Sequence, residues 1–270
     1  MYARIQRMTA EKQKENQLLA RLADCKQIAV AYSGGVDSTY LADVAHEALG
    51  DKAWIVIADS PSLPRRELKD ATKLAGQRGW NLHIIQTQEH LNPSYLANKG
   101  DRCFHCKNEL FNTMETIIRE TGIKTLAYGA IEDDKGDFRP GAKAADAHQV
   151  IAPLQDVGLY KKEVRVLSKL RGLPTAEKAS FACLGSRFPT GTPISLKKMS
   201  NVERAEEFLR SWGFSQYRVR HHGDLCRIEL NPEEFEKILA CRGQLLVKLQ
   251  ALGYRYITLD LAGYRTGSTS

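Results

Sequence analysis

The sequence predicts an α/β fold, a Rossmann-like parallel sheet followed by a small α+β domain. Three observations carry this reading. Short apolar runs over 27–32, 53–59, 81–87 and 125–131 alternate with stretches of helical period, the pattern of a parallel sheet covered by helices on both faces. The first run leads through a Gly-rich turn straight into an apolar helix. Near residue 190 the composition turns to Gly, Pro, Ser and Thr, which marks a loop or linker.

Taken in order, residues 9–24 read as an amphipathic helix with Leu18, Leu19 and Leu22 on one side. The run 27–32 suits a strand buried on both faces, and a helix follows from about Asp37 to Leu49. Residues 53–59 form a second strand. The stretch 64–79 has Pro64 at its start and Gly79 at its end, the asymmetry of a helix. Residues 81–87 are a third strand. Leu110, Met114, Ile117 and Ile118 give the next stretch a helical period, and 125–131 is the fourth strand. Past the 185–195 loop the expected order is helix (198–212), strands (216–222 and 225–230), helix (232–252) and strand (254–260). Pro232, Glu233 and Glu234 make a favourable start for the last helix. The domains are therefore expected over 1–190 and 191–270, with 266–270 frayed.

With 270 residues, 43% of them hydrophobic and 26% charged, the chain has material for a real core. The first twenty residues hold no long apolar run and read as neither secretory signal nor membrane anchor. No stretch approaches the ~20 apolar residues of a membrane helix. Six cysteines are too few for a disulfide scaffold, and in a reducing cytoplasm a cysteine pair more often binds metal or reacts. Cys25, Cys226 and Cys241 lie in helix- or strand-like segments and read as packed thiols. The net charge of +7 fits RNA or anionic nucleotides equally well.

The most informative stretch is Ser-Gly-Gly-Val-Asp-Ser at 33–38. Gly34 and Gly35 let the backbone turn sharply and approach a ligand closely. The helix N-terminus beyond them presents unpaired N–H groups to an anion. Ser33 and Ser38 add hydroxyl donors, and Asp37 is placed to orient the loop or hold Mg2+ against phosphate. Neither a Gly-Lys-Ser/Thr ending nor a G-x-G-x-x-G spacing is present. Gly129 and Asp133 follow the fourth strand at its C-terminal end, where open α/β sheets bind ligands.

Two cysteine features stand apart. Cys103 and Cys106 sit three residues apart at a helix start; their alternatives are half of a structural zinc site and a redox pair. Cys183 lies on a Gly-, Pro- and Thr-rich loop, followed by Ser186 and Arg187. A loop cysteine beside a cation is a candidate nucleophile; its alternative is a packed thiol. Over 217–224 the period is two. Arg218 and Arg220 then share one strand face, suited to gripping a phosphate.

Together these stretches carry a resemblance. Ser33–Ser38 resembles the pyrophosphate loop of the ATP pyrophosphatase superfamily, whose fold is adenine nucleotide alpha hydrolase-like. With Arg-Cys-Phe-His-Cys-Lys at 102–107, Arg-Pro-Gly at 139–141 and the stretches 152–165, 172–194 and 217–230, the chain is similar to the ATP-dependent sulfur transferases of the nickel-pincer nucleotide pathway (the LarE family). The resemblance implies adenylation by ATP of the carboxylates of pyridinium-3,5-biscarboxylic acid mononucleotide, then replacement of AMP by sulfur to leave thiocarboxylates. It implies ATP at Ser33, Gly34, Gly35, Asp37, Ser38 and Gly129, with Asp37 and Cys183 catalytic. The substrate contacts implied are Ser186, Arg187, Arg218 and Arg220, the two strand arginines on its phosphate. Cys103, Cys106 and Cys183 match the branch whose three cysteines hold a [4Fe-4S] cluster. Three thiolates are one short of the usual four and leave one iron open to sulfide. In the other branch the loop cysteine, here Cys183, surrenders its own sulfur. Glu206 matches a family acidic residue that binds a metal, although a solvated helix face explains it as well. Ala130 and Ile131 stand where the family often has Thr and Asn, and no role is assigned to them or to His221 and His222. A higher homo-oligomer in the cytoplasm is implied, with neither nucleic acid nor membrane as partner. The site is expected among the phosphate loop, the Cys183 loop and the Arg218/Arg220 strand.

Three rival functions share parts of this pattern. A tRNA-thiolating enzyme has the same phosphate loop, but no RNA-binding module or basic tail is evident here. An amidotransferase-type ligase would adenylate and deliver ammonia, with no need of cysteine. A nucleotide-binding regulator would bind ATP without releasing pyrophosphate.

Overall fold

A computed structural model describes residues 2–136, 140–179 and 182–265, the side chains of 2–9 and of Pro140 excepted. Arg139 of the Arg-Pro-Gly match and the expected frayed end at 266–270 lie outside the described residues. The chain divides into two compact units, Met1–Glu89 with Cys103–Phe181 and His90–Arg102 with Ala182–Ser270.

The first unit is built on four parallel strands: β1 (Ile28–Tyr32), β2 (Ala53–Asp59), β3 (Asn81–Gln86) and β4 (Leu126–Tyr128), in the order β3-β2-β1-β4. Its helices are α1 (Tyr2–Ala23), α2 (Val36–Leu49), α3 (Arg65–Arg78), α5 (Arg102–Ile118), α6 (Pro140–Ala147), α7 (Pro153–Asp156) and α8 (Lys161–Leu170), with α4 (Pro93–Ala97) belonging to the second unit. β1 is central and almost wholly buried, as its unbroken apolar run requires. One apolar cluster packs Leu18, Leu22, Tyr40, Val44, Ile55 and Leu167. A second gathers Ala29, Val56, Phe111, Met114, Leu126 and Ala145.

Successive connections run from β1 outward through β2 to β3, then return to place β4 on the other side of β1. The carboxyl ends of β1 and β4 therefore flank the point where strand order reverses, the place at which such sheets bind ligands. β4 keeps only three residues of the expected 125–131. Beyond it the chain turns away after Gly129, and the Ile131 N–H bonds Asp134 Oδ2 at 3.1 Å instead of a strand. An isolated bridge from Ala127 to Ile151 takes up the open edge.

The second unit holds α4, α9 (Leu196–Ser211), α10 (Phe235–Ala240), α11 (Arg242–Ala251) and a sheet of order β5-β6-β7. β5 (Tyr217–His222) and β6 (Leu225–Leu230) are antiparallel, joined by a tight turn with Gly223 at φ +66, as two-residue hairpins demand. β7 (Tyr256–Leu259) runs parallel to β6. Their core includes Phe188, Met199, Val202, Leu209, Val219, Ile228 and Leu249. The expected helix 232–252 is broken: Cys241, at φ −99 and ψ 12, separates α10 from α11.

The sequence places the junction near 190, whereas the second unit starts at Ala182 and also takes in 90–102. Asn98 is the reason. Its side-chain amide donates to the carbonyls of Pro189 (2.8 Å) and Thr192 (3.1 Å), while its carbonyl accepts from Arg102 (2.6 Å). Arg102 also donates to the Gly185 carbonyl at 2.8 Å. Among the described residues no helix is long and apolar enough to cross a membrane.

Candidate active site

The phosphate loop lies where β1 meets α2, at the point of strand-order reversal. Gly34 adopts φ +73, and Gly35 caps α2 with no side-chain hydrogen bond. The first-turn N–H groups of a 14-residue helix are thus left to a ligand. Ser38 Oγ accepts from the Ser33 N–H (3.2 Å), contacts Ser33 Oγ (3.0 Å) and donates to the Gly35 carbonyl (3.3 Å), so the two serines brace the loop. Gly129 passes so close to α2 that a Cβ there would stand 2.9 Å from Ser38 N and 3.1 Å from the Asp37 carbonyl carbon. Only glycine allows that approach.

A cleft of about 630 Å3 opens here, lined by Ser33, Gly35, Asp37, Ser38, Gly129 and Asp133, among others. Its size suits a nucleotide. Ala130 and Ile131, at the two positions that depart from the family pattern, are also on its wall. Asp37 is deeply set. Burial pushes its carboxyl above the usual range, against the opposing pull of Lys161. Lys161 Nζ bonds Asp37 Oδ2 at 2.6 Å, and Asp37 Oδ1 is buried with no hydrogen-bond partner. An orphaned carboxylate oxygen in a nucleotide-sized cleft fits a Mg2+ ligand.

Two lysines of this unit carry no mark in the sequence. Lys161, at the start of α8, is a cleft-lining cation whose own backbone N–H bonds Asp133 Oδ2 at 2.7 Å. Lys178 donates to the Gly34 carbonyl at 2.9 Å and pairs with Glu67, pinning the loop. Arg165 holds the Lys178 backbone in turn, donating to the Ala176 (2.6 Å) and Lys178 (2.9 Å) carbonyls. Both lysines fall in the stretches 152–165 and 172–194 that carry the resemblance, but isolated lysines there have no spacing that singles them out.

Cys103 and Cys106 occupy the first turn of α5, the former exposed and the latter half-buried. Residues i and i+3 are neighbours on a helix surface, so both thiols share one face. Lys107 beyond them lines the nucleotide cleft, with its Nζ 4.7 Å from the Tyr128 ring centroid. Gly141 of Arg-Pro-Gly lies against the Lys107 side chain, where a Cβ would stand 2.7 Å from Cδ.

In the second unit Cys183 is half-buried and heads a one-turn 3-10 helix, Leu184–Arg187. Its carbonyl accepts from the Ser186 N–H (3.0 Å), Ser186 Oγ (2.8 Å) and Arg187 Nη1 (3.1 Å). Arg187, only 1% exposed, forms a forked pair with Glu206 on α9, at 2.9 and 3.0 Å. Glu206 also accepts the Val219 N–H at 3.1 Å. Burial works against the Arg187 charge, but Glu206 outweighs it and holds its pKa above the ordinary value.

Val219 and His221 turn into the core, so Arg218 and Arg220 share the opposite face of β5. Arg220 donates to the Ser186 carbonyl (3.1 Å) and to Glu229 (2.8 Å). Arg218 lies over the Tyr264 ring. Burial first, and then the charge of Arg187, lowers its pKa, the mark of crowded cations that an anion would relieve. His221 is buried against Phe188 and Tyr254. Burial, with Lys198 adding to it, holds its pKa down at about 4.

The three cysteines are divided between the units, two in the first and Cys183 in the second. Among the described residues no three His, Cys, Asp or Glu side chains form a ready metal site.

No protein-family model matches the chain. Over 240 residues it is 42% identical to the uncharacterised Synechocystis protein slr1717, covering 88% of this chain and 90% of that one. It is 34% identical over 256 residues to pyridinium-3,5-bisthiocarboxylic acid mononucleotide synthase of Lactiplantibacillus plantarum, covering 94% of this chain and 92% of that protein. It is also 27% identical over 215 residues to the glutamine-hydrolysing GMP synthase of Chlamydia caviae, covering 73% of this chain and 40% of that protein.

Proposed function

The chain belongs to the family of pyridinium-3,5-bisthiocarboxylic acid mononucleotide synthase, and from that premise we propose that it is an ATP-dependent sulfur transferase acting on a pyridinium dicarboxylate mononucleotide. The observation that carries this reading is the pairing, in one chain, of two pieces of chemistry. One is a braced phosphate loop on a nucleotide-sized cleft. The other is a cysteine-bearing turn whose backbone carbonyls are held by buried arginines. A ligase that delivers ammonia needs only the first.

The chemistry proceeds in two displacements. ATP lies in the cleft with its β and γ phosphates on the Gly34–Gly35 backbone and the α2 N-terminus. A substrate carboxylate oxygen attacks the α-phosphorus, and pyrophosphate leaves. The loop amides, Ser33 and Ser38 stabilise the charge that develops on the leaving group. Asp37 would hold Mg2+, which supplies neutralisation of the phosphates. Lys161 trades Asp37 for the triphosphate. Sulfur then attacks the activated carbonyl, AMP departs, and a thiocarboxylate remains. A second cycle converts the other carboxylate. Arg218 and Arg220 hold the substrate's phosphate on their shared face, Ser186 lies beside it, and the cleft wall near Gly129 takes the nucleoside of ATP.

For the sulfur source, Cys103, Cys106 and Cys183 are the residues that would hold a [4Fe-4S] cluster, which supplies sulfide from an iron lacking a protein thiolate. The donor chemistry suits it: three free thiols, two of them three residues apart at the start of one helix. Sacrifice of Cys183 itself would leave the Cys103/Cys106 pair without a task. Protein purified without oxygen is expected to contain about four irons per chain, and none after Cys103→Ala. An iron-free, colourless protein would assign the sulfur to Cys183, whose mass would then fall by the equivalent of one hydrogen sulfide after one turnover. The activation step is tested by exchange of labelled pyrophosphate into ATP. Exchange that requires the dicarboxylate nucleotide supports the reading; exchange driven by xanthosine monophosphate would replace it with a GMP synthase-like one.

A further inference from the structure

The sequence reading makes Arg187 a substrate contact and Glu206 a metal ligand, yet both are buried and turned toward the protein. Arg187 Nε and Nη2 go to the two oxygens of Glu206 at 2.9 and 3.0 Å. Its Nη1 donates to the carbonyls of Ala182 and Cys183 and to Ser186 Oγ. Glu206, 9% exposed, is itself fixed by the Val219 N–H. A forked guanidinium–carboxylate pair is directional as well as strong. Here it ties α9 and β5 to the backbone on both sides of the Cys183 Cα. Arg220 braces the far end of the same turn, linking the Ser186 carbonyl to buried Glu229.

We propose that Arg187 and Glu206 are the positioning pair of the Cys183 turn, fixing where the thiol points without touching the nucleotide or a metal. This rests on the reading that sulfur delivery needs Cys183, as a cluster ligand or as the donor itself. A one-ångström misplacement of a reacting group costs about a hundredfold in rate, whereas losing a phosphate contact weakens binding as well. The two roles therefore separate in kinetics.

The test uses the full chain with ATP and the dicarboxylate mononucleotide, comparing Glu206→Gln, Arg187→Lys and Arg187→Met with the parent. Glu206→Gln is isosteric and keeps the neighbouring packing, so it remains informative if the Arg187 variants do not fold. Positioning predicts kcat lowered about tenfold or more with the nucleotide KM within about threefold. It predicts faster amide exchange over 183–188, no change over 33–38, and partial rescue by Lys relative to Met. The alkylation rate of Cys183, followed on its own peptide, should change in every variant. A KM raised more than about tenfold with unchanged exchange over 183–188 would overturn the proposal in favour of substrate contact. Full activity and parental exchange in Glu206→Gln would overturn it too. Failure of the underlying reading looks different: Cys183→Ala would turn over normally, while exchange over 183–188 would still report whether the pair holds the turn.

Discussion

Lys161 Nζ stands 2.6 Å from Asp37 Oδ2, and the other oxygen of that carboxylate is buried without a hydrogen-bond partner. The lysine comes from the start of α8 and the aspartate from the first turn of α2, so the pair joins two elements across the nucleotide cleft. Lys161→Met is expected to weaken ATP binding and slow pyrophosphate exchange by about a hundredfold. It also removes the strongest force opposing the desolvation of Asp37. The Asp37 pKa then rises, more alkaline solution is needed to ionise it, and the acid limb of the pH–rate profile moves to higher pH. An unmoved limb would separate Lys161 from Asp37.

Gly129→Ala places a Cβ 2.9–3.1 Å from backbone atoms of Ser38 and Asp37. Backbone at a helix start cannot swing aside, so β4 and α2 must part. Overpacking of this kind costs about 1–3 kcal/mol. The thermal midpoint should fall, and calorimetry should show ATP affinity reduced by more than the stability loss alone explains, since the phosphate loop moves with α2.

Asn98→Ala should destabilise the second unit by about 2–4 kcal/mol in denaturant titrations. It strands the carbonyls of Pro189 and Thr192 and one partner of Arg102, and it puts alanine at φ 52 and ψ 44. Asn98→Gly relieves only the backbone strain, recovering about 1 kcal/mol.

His221 gives the second unit an acid-sensitive core. Its pKa is about 4 in the fold against 6.5 ordinarily. Between those values the unfolded chain binds a proton that the folded chain refuses, so stability falls as pH drops from 6.5 toward 4. The loss is about 3 kcal/mol at most, less in so far as solvent reaches the ring. In His221→Phe the difference in unfolding free energy between about pH 7 and about pH 4.5 should shrink by that order; an unchanged difference would mean His221 is protonated in the fold.

The sheet is legible because parallel strands buried on both faces must be unbroken apolar runs, and 53–59 matches β2 residue for residue. The phosphate loop is legible because its chemistry is local: glycines, hydroxyls and a helix start within six residues. What escapes depends on contacts distant in sequence. Asn98 draws 90–102 into the second unit through the carbonyls of Pro189 and Thr192. Lys161 meets Asp37 across 124 positions. Nothing local distinguishes either residue from a solvated polar side chain. The fourth strand is overextended in the sequence because 129–131 is apolar enough to continue it, while the close pass at Ser38 turns it away.

The most direct measurement follows one turnover of anaerobically purified protein with ATP and the dicarboxylate mononucleotide, recording AMP and the masses of nucleotide and protein, beside Cys183→Ala. The account predicts one oxygen-to-sulfur exchange in the nucleotide for each AMP released, and AMP without sulfur transfer in the variant. Thiocarboxylate formed at the parental rate by Cys183→Ala would contradict it.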